Sequence, residues 1–264
     1  MLTELLKEER KLNSLTKYGS ILTYHQLGKK GGLIDELTES NIDDEEIIEG
    51  TEKVDGTNTR ILISGKDYVI GTREDLIYAK GDRIHVSNDK LGFLDKMINL
   101  SEELIKNDFP DDELTVIYGE NYGGTIGQHC KEYSKEKKIG FRVFDVWTMK
   151  ISDINEVMKK DLGSISSWRD HNNQPFYSID KFEQFIEKYN LERTPVKFRI
   201  KKKDLPIDLK SAYEFLCNYK DSKVGLDVSG KAEGCVIRNN SRTYIKKLRF
   251  EDYEKTFRRM EKEK

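Results

Sequence analysis

The sequence predicts an α+β fold built from antiparallel sheets flanked by helices, and three observations predict it. First, Thr59-Arg60-Ile61-Leu62-Ile63-Ser64 and Tyr68-Val69-Ile70-Gly71-Thr72-Arg73 are apolar strands joined through Ser64-Gly65-Lys66-Asp67, which reads as an antiparallel hairpin. Second, Ala232 to Arg238 and Arg242 to Arg249 form another strand pair around the turn Asn239-Asn240. Third, helical periodicity gathers in a block from about 152 to 222.

The remaining elements follow in order. Residues 1 to 13 have the spacing of a short amphipathic helix, and Ile21-Leu22-Thr23-Tyr24-His25 that of a short strand in an irregular stretch. An acidic segment, Ile42 to Glu49, leads into a strand ending near Lys53. Leu91, Leu94, Ile98 and Leu104-Ile105 mark a helix within 89–106. Leu114 to Glu120 and Ile139 to Trp147 are strands, separated by the glycine-rich Asn121 to Gln128. No Gly-Lys-Ser/Thr follows those glycines, so they are not a Walker A loop and read as a mobile loop near the site. In the 152–222 block, helices near 152–169, 179–190 and 208–220 surround the strand Val196 to Lys201. That block is either a small helical subdomain or a decorated continuation of the sheet. A charged helix, Glu251 to Lys264, closes the chain.

Composition narrows the function. The 264 residues leave room for one large domain or two small ones. With 36% charged and 36% hydrophobic residues and no apolar run near 18 residues, no membrane span is expected. Cys130, Cys217 and Cys235 are scattered, which fits a reducing cytoplasm and neither a zinc site nor a disulfide frame. A net charge of −2 argues against a generic nucleic-acid coat. The charge is zoned, however: residues 35 to 52 hold nine acids and no Lys or Arg, whereas cations collect in 193–203 and 242–264. Such zoning can present a basic face to a polyanion, although any single cluster is more simply a solvated helix face or edge strand.

The most informative stretch is Thr51-Glu52-Lys53-Val54-Asp55-Gly56-Thr57-Asn58. Read alone, Asp-Gly between apolar runs is an ordinary hairpin signal with a solvated lysine. Read for chemistry, strand alternation points Lys53 and Asp55 to one face, and Gly56 allows a close backbone approach. A lysine attacks only as the free amine, a form that is about one part in a thousand near pH 7 for an unperturbed side chain. A lysine nucleophile therefore calls for nearby cations or desolvation, and for groups that stabilise charge on the leaving phosphate.

Those groups occur in a fixed order: Tyr118-Gly119-Glu120, Phe141-Arg142-Val143-Phe144-Asp145, Glu233-Gly234-Cys235-Val236 and Ile245-Lys246-Lys247. Together with Glu52 to Asn58 they resemble the motifs of the covalent lysine nucleotidyltransferases. Asn58 makes the set most similar to the ATP-dependent RNA ligases of the nick-sealing phage type. The resemblance spans roughly residues 20 to 258, with a gap over the helical block. It implies a nucleotidyltransferase (ATP-grasp-like) fold, with residues 1–264 as a single adenylyltransferase domain. Lys53 would attack the α-phosphate of ATP, and Glu52 would lie beside the adenine or ribose. Asp55 and Asn58 would line the ribose and metal side. Arg73 would contact ribose or a polynucleotide phosphate. Glu120 would hold a ribose hydroxyl and, with Glu233, face a hydrated Mg2+ or Mn2+. Phe144 would stack on the adenine. Lys246, Lys247 and Arg249 are the candidate phosphate cations; alternation favours Lys247 with Arg249, whereas the opening of the motif matches Ile245-Lys246.

Some expectations stay open at this stage. Alternation puts Phe144 and Val146 on one face, with Val143, Asp145 and Trp147 on the other, and leaves undecided which face meets a ligand. Only 52 residues precede Lys53 and 17 follow Lys247, so no OB domain is expected. In its place, Arg199, Lys201, Lys202 and Lys203 are the candidate RNA-gripping surface. The expected partner is RNA bearing 5′-phosphate and 3′-hydroxyl ends, and the expected state is a cytoplasmic monomer. A DNA ligase, a GTP-using capping enzyme and a non-catalytic nucleotide or polynucleotide-end binding module are the competing readings.

Overall fold

The computed structural model describes residues 2–29, 31–38, 42–85 and 89–262. Glu39 in the acidic run and the last two residues of the expected closing helix lie outside the described residues. The strands are β1 (His25–Leu27), β2 (Leu33–Leu37), β3 (Ile47–Lys53), β4 (Gly56–Ser64), β5 (Asp67–Thr72), β6 (Leu76–Ala79), β7 (Ile84–His85), β8 (Glu113–Gly123), β9 (Ile139–Lys150), β10 (Val196–Lys201), β11 (Gly234–Asn239) and β12 (Ile245–Arg249). The α-helices are α1 (Leu2–Leu5), α2 (Glu9–Thr16), α3 (Leu94–Leu104), α4 (Ile151–Met158), α5 (Leu162–Asp170), α6 (Ile179–Lys188), α7 (Leu209–Cys217) and α8 (Phe250–Lys262). Among the described residues, no helix is long and apolar enough to cross a membrane.

Both expected hairpins form. Ser64 pairs with Asp67 at the tip of β4–β5, and β11 pairs with β12 from Gly234↔Arg249 to Arg238↔Ile245. The strands assemble into a six-stranded antiparallel sheet, in the order β7-β6-β5-β4-β8-β9, and a four-stranded one, in the order β10-β3-β11-β12; β1 and β2 form a separate pair. The Asp55-Gly56 step is therefore no hairpin. Its flanking strands, β3 and β4, belong to different sheets, and Val54-Asp55 carries the chain from one to the other.

The six-stranded sheet is covered on both faces, which explains the unbroken apolar run Ile61-Leu62-Ile63. Ile61 and Ile63 join the core beneath α3 and α6, whereas Leu62 joins the core beneath α1, α2, α4 and α5. A third core lies between the four-stranded sheet and α7, α8, β1 and β2.

The helix-rich block is a decorated continuation of the sheets. Its helices pack on three different cores, and β10 adds an edge to β3. Side chains cap three of these helices at their N-termini: Asp161 accepts from Ser164 N, Ser178 from Lys181 N and Asp208 from Ser211 N.

Candidate active site

The pairing of β3, β11 and β12 builds the floor of a cleft of about 410 Å³ between the two larger sheets. Glu49, Thr51 and Lys53 lie two residues apart on β3 and so share a face. Opposite them on β11 are Arg238, Val236 and Gly234, and beyond these on β12 are Ile245, Lys247 and Arg249. The β3–β11–β12 floor thus runs from a cationic end, with Lys53, Lys247 and Arg249, to an end holding Glu49 and Arg238. Gly234 is required for this packing: a Cβ there would sit 2.0 Å from the Leu248 carbonyl oxygen. Gly56 has the same role at the mouth of β4, where a Cβ would meet the Asn121 carbonyl oxygen at 2.1 Å.

At the cationic end, the Lys53 ammonium contacts Glu233 Oε2, and Arg249 approaches Glu233 Oε1 at 3.7 Å. The Arg249 guanidinium is itself held by Asp252 of α8 through bonds of 2.8 and 2.6 Å, the interaction that does most to raise its pKa. Burial, followed by the cations of Arg249 and Lys53, lowers the pKa of Lys247.

Glu120 lies across β4–β8 from Asn58, and both line the cleft. The Oδ1 atom of Asn58 is buried without a partner. Burial pushes the Glu120 carboxyl up to about 8; Glu233 and Asp55 add to the shift, and Lys53 and Arg73 offset it. The folded state thus holds a proton on Glu120 that the unfolded chain releases near the ordinary value of 4.5. Stability from this group is present at low pH and is lost as pH rises from about 4.5 to 8. Glu120→Gln should therefore stabilise the free protein by about 2–4 kcal/mol at pH 8.5 and by little at pH 4, as read by urea denaturation.

Asp55 is fixed by the segment that follows the glycine-rich loop. The backbone N–H of His129 and its Nδ1 meet Asp55 Oδ2 at 2.9 and 2.8 Å, and the Asp55 N–H donates to the Tyr133 hydroxyl at 2.8 Å. The His129 side chain is exposed, so its bond is worth at most about 1 kcal/mol. His129→Ala should accordingly slow any step that uses Asp55 by about fivefold or less in single-turnover rates.

Phe144 lines the cleft because β9 bulges there: Tyr118 pairs with Asp145 and Gly119 with Val143, leaving Phe144 as the extra residue. The bulge overturns the simple alternation, since Val143 and Val146 share one core while Phe144 and Trp147 face the other. The Phe144 ring stands edge-on to Tyr18 at 5.0 Å. Arg73 lies just past β5, also lines the cleft, and bonds Ser20 Oγ at 3.1 Å.

Three sequence expectations need correction. Glu52 borders the cleft, but its carboxylate does not face it. It points away from Lys53, as alternation requires, and is buried among Lys197 at 3.0 Å, Ser222 Oγ at 2.5 Å and Lys223 N at 2.8 Å. Lys246 is buried on the far side of β12, with its ammonium 5.8 Å from the Tyr244 ring centroid, so of the three β12 candidates Lys247 and Arg249 line the cleft. Arg199, Lys201, Lys202 and Lys203 are not a free basic surface. Arg199 pairs with Glu49 and Glu183, Lys201 and Lys203 with Glu45, and Lys202 with Asp44.

The structure also brings in residues that no motif flagged: Tyr18, Glu49, Phe182, Arg193 and Arg238 line the cleft. Arg238 could have been found by continuing the alternation outward from Val236. Glu49 follows in the same way from Lys53 on β3, whereas Tyr18, Phe182 and Arg193 come from distant segments and leave no local signal.

Comparisons with known proteins bear on the family and the fold. The RNA ligase family model matches residues 46–254. Curated protein sequences return no match. Among solved structures, Naegleria gruberi RNA ligase in an alanine mutant with ATP and Mn matches at 15% identity and a TM-score of 0.50, covering 92% of this chain and 62% of that one. A second alanine mutant with ATP and Mn matches at 14% and 0.50, and a methionine mutant with AMP and Mn at 15% and 0.50; each covers 90% of this chain and 63% of its own. The chain thus spans somewhat under two thirds of the length of these ligases, whose likeness is one of fold. With the family model matching most of its length, the chain belongs to the RNA ligase family.

Proposed function

We propose that this chain is an ATP-dependent RNA ligase working through a lysine-adenylate. The observation that carries the reading is the convergence of Lys53, Lys247 and Arg249 with Glu233 and Glu120 on one cleft. Lys53 Nζ, as the free amine, forms a bond to the α-phosphorus of ATP, the bond to the bridging oxygen breaks, and pyrophosphate leaves. Lys247 and Arg249 offset the charge that develops on the phosphoryl oxygens. Phe144 and Val236 offer apolar surface to the base. An RNA 5′-phosphate oxygen then takes the AMP from nitrogen, and a 3′-hydroxyl attacks that phosphate to form the phosphodiester and expel AMP.

A divalent ion fits this cleft. No group of three His, Cys, Asp or Glu residues forms a metal cage among the described residues. However, Mg2+ takes one or two carboxylates and keeps its waters, and Glu120 and Glu233 supply two carboxyls whose mutual crowding favours a cation. Glu120 and Glu233 would hold Mg2+ or Mn2+ there, and the ion would supply positive charge against the α-phosphate. The proposed partner is RNA with 5′-phosphate and 3′-hydroxyl ends, and the proposed working unit is a monomer built as a single adenylyltransferase domain.

The test is a chase. Protein incubated with Mg2+ and α-labelled ATP should retain label through denaturation. It should then pass that label to a 5′-phosphorylated RNA strand at a duplex nick and release it as AMP on sealing. Label from GTP instead would indicate capping chemistry, and label accepted only by DNA 5′-phosphates would indicate a DNA ligase.

A further inference from the structure

The cleft has a neighbour. A second cavity, also of about 410 Å³, lies against it, and Tyr18, Gly19, Ser20, Ile21, Arg73 and Ile245 line both. Residues 18–21 form the wall between them, and Tyr18 fixes that wall. Its ring stands edge-on to Phe144 of the cleft at 5.0 Å and to Phe176 of the second cavity at 5.6 Å. Its hydroxyl donates to Asp145 Oδ2 at 3.0 Å. Arg73 is the charged member of the shared lining. Its side chain is 60% exposed, and its guanidinium bonds Ser20 Oγ on the wall at 3.1 Å.

Four cations line the second cavity, and two of them are held in place by acids of their own. Asp170 holds Arg169 at 2.9 Å, and buried Asp145 holds Arg242 at 2.5 Å. Lys17 and Arg73 stand apart from these. Among the described residues, Glu74 is the acid within 4 Å of either, at 3.0 Å from Lys17 and 3.9 Å from Arg73. Its side chain is 70% exposed. Two solvent-reachable cations therefore share one solvent-reachable carboxylate. Helix α2 organises all three: Lys17 directly follows its last residue, and Asn13 Nδ2 donates to the Glu74 carbonyl at 2.9 Å, pinning the turn that carries Arg73 and Glu74. A surplus positive charge where two cavities meet, one of them ending at Lys53, suits a polyanion that occupies both.

We infer that the second cavity takes the sugar–phosphate backbone of the RNA strand that bears the 5′-phosphate. The 5′ end of that strand reaches the cleft, Arg73 holds it at the junction, and Lys17 binds a phosphodiester further along. Glu74 competes with the strand for both cations. Contacts of this kind fix the register of a strand without reading its sequence. The inference rests on the proposed function for the identity of the strand.

The experiment is equilibrium binding of the full chain, without ATP and at several salt concentrations, to an RNA duplex with a 5′-phosphorylated nick. Lys17→Gln should weaken binding about threefold to tenfold and lower the slope of log affinity against log salt by somewhat under one unit, as one lost phosphate contact does. Glu74→Gln should tighten binding about threefold, because it releases both cations. That gain cannot come from misfolding, so it tests the site even if Lys17→Gln proves unstable. Lys210→Gln and Glu214→Gln make the same changes of net charge on α7, whose apolar face joins the core on the far side of the four-stranded sheet, and should have little effect. Neutral methylphosphonate linkages near the 5′-phosphate should cost the wild type the same factor as Lys17→Gln, and should cost Lys17→Gln nothing more. No measurable binding by the wild type overturns the inference. So do equal effects from the α7 variants, a full further loss from the neutral linkages in Lys17→Gln, and a matching loss only when those linkages are moved to another strand of the duplex. Failure of the wild type to become labelled by ATP would remove the ligase reading and leave this binding result standing.

Discussion

Lys53→Ala will take up no label from α-labelled ATP that survives denaturation, and will form no ligated RNA. This is the largest effect expected, because it removes the atom that bonds to phosphorus and leaves no slower covalent route. Lys53→Arg will not restore the label, since a guanidinium stays protonated and cannot attack. Nucleotide binding should survive in Lys53→Ala, because Phe144, Val236, Lys247 and Arg249 still line the cleft. Glu233 loses its closest cation in that variant but retains Arg249 at 3.7 Å, so the folded state should persist. A filter-binding assay beside the labelling assay separates the two effects.

Lys247→Ala carries the second largest effect. Its ammonium sits at the cationic end, on the same face of β12 as Arg249 and across from Val236. Removing one preorganised charge aimed at a developing oxyanion costs about a hundredfold to a thousandfold in rate. The loss should fall on the rate of lysine-adenylate formation at saturating ATP more than on ATP affinity. Lys246→Ala provides the internal contrast. Burial lowers the Lys246 pKa, and its side chain stands on the far face of the strand against Tyr244. Its loss should therefore alter the melting temperature and leave the single-turnover rate nearly unchanged. Equal rate losses in the two variants would mean that the cleft face of β12 has been assigned wrongly.

How much could be read beforehand depended on the range of the interactions involved. The β4–β5 and β11–β12 hairpins were legible because turn chemistry and period-two patterning are local. The pairing of Lys247 with Arg249 was legible for the same reason. Glu52 shows the same rule applied too weakly: alternation from Lys53 already sent its carboxylate to the opposite face, and the family resemblance drew it into the nucleotide site. Phe144 does line the cleft, but the alternation read around it failed, because one extra residue in β9 shifts every later side chain, and nothing in the segment announces a bulge. The basic stretch 199–203 was misread because its partners, Asp44, Glu45 and Glu49, lie about 150 residues earlier in sequence and meet it only when β10 pairs with β3. Arg193 and Phe182 were unreadable for the same reason. A helix pattern reveals an apolar face, but not which of three cores that face meets.

The central claim is that Lys53 is the residue that becomes covalently nucleotidylated. Intact-mass spectrometry of the protein after incubation with ATP and Mg2+, followed by peptide mapping, tests it most directly. The account predicts one added AMP, acid-labile as a phosphoramidate should be, on the peptide that contains Lys53 and on no other. An adduct mapped to a different residue, or a folded protein that binds ATP and gains no mass, would contradict it.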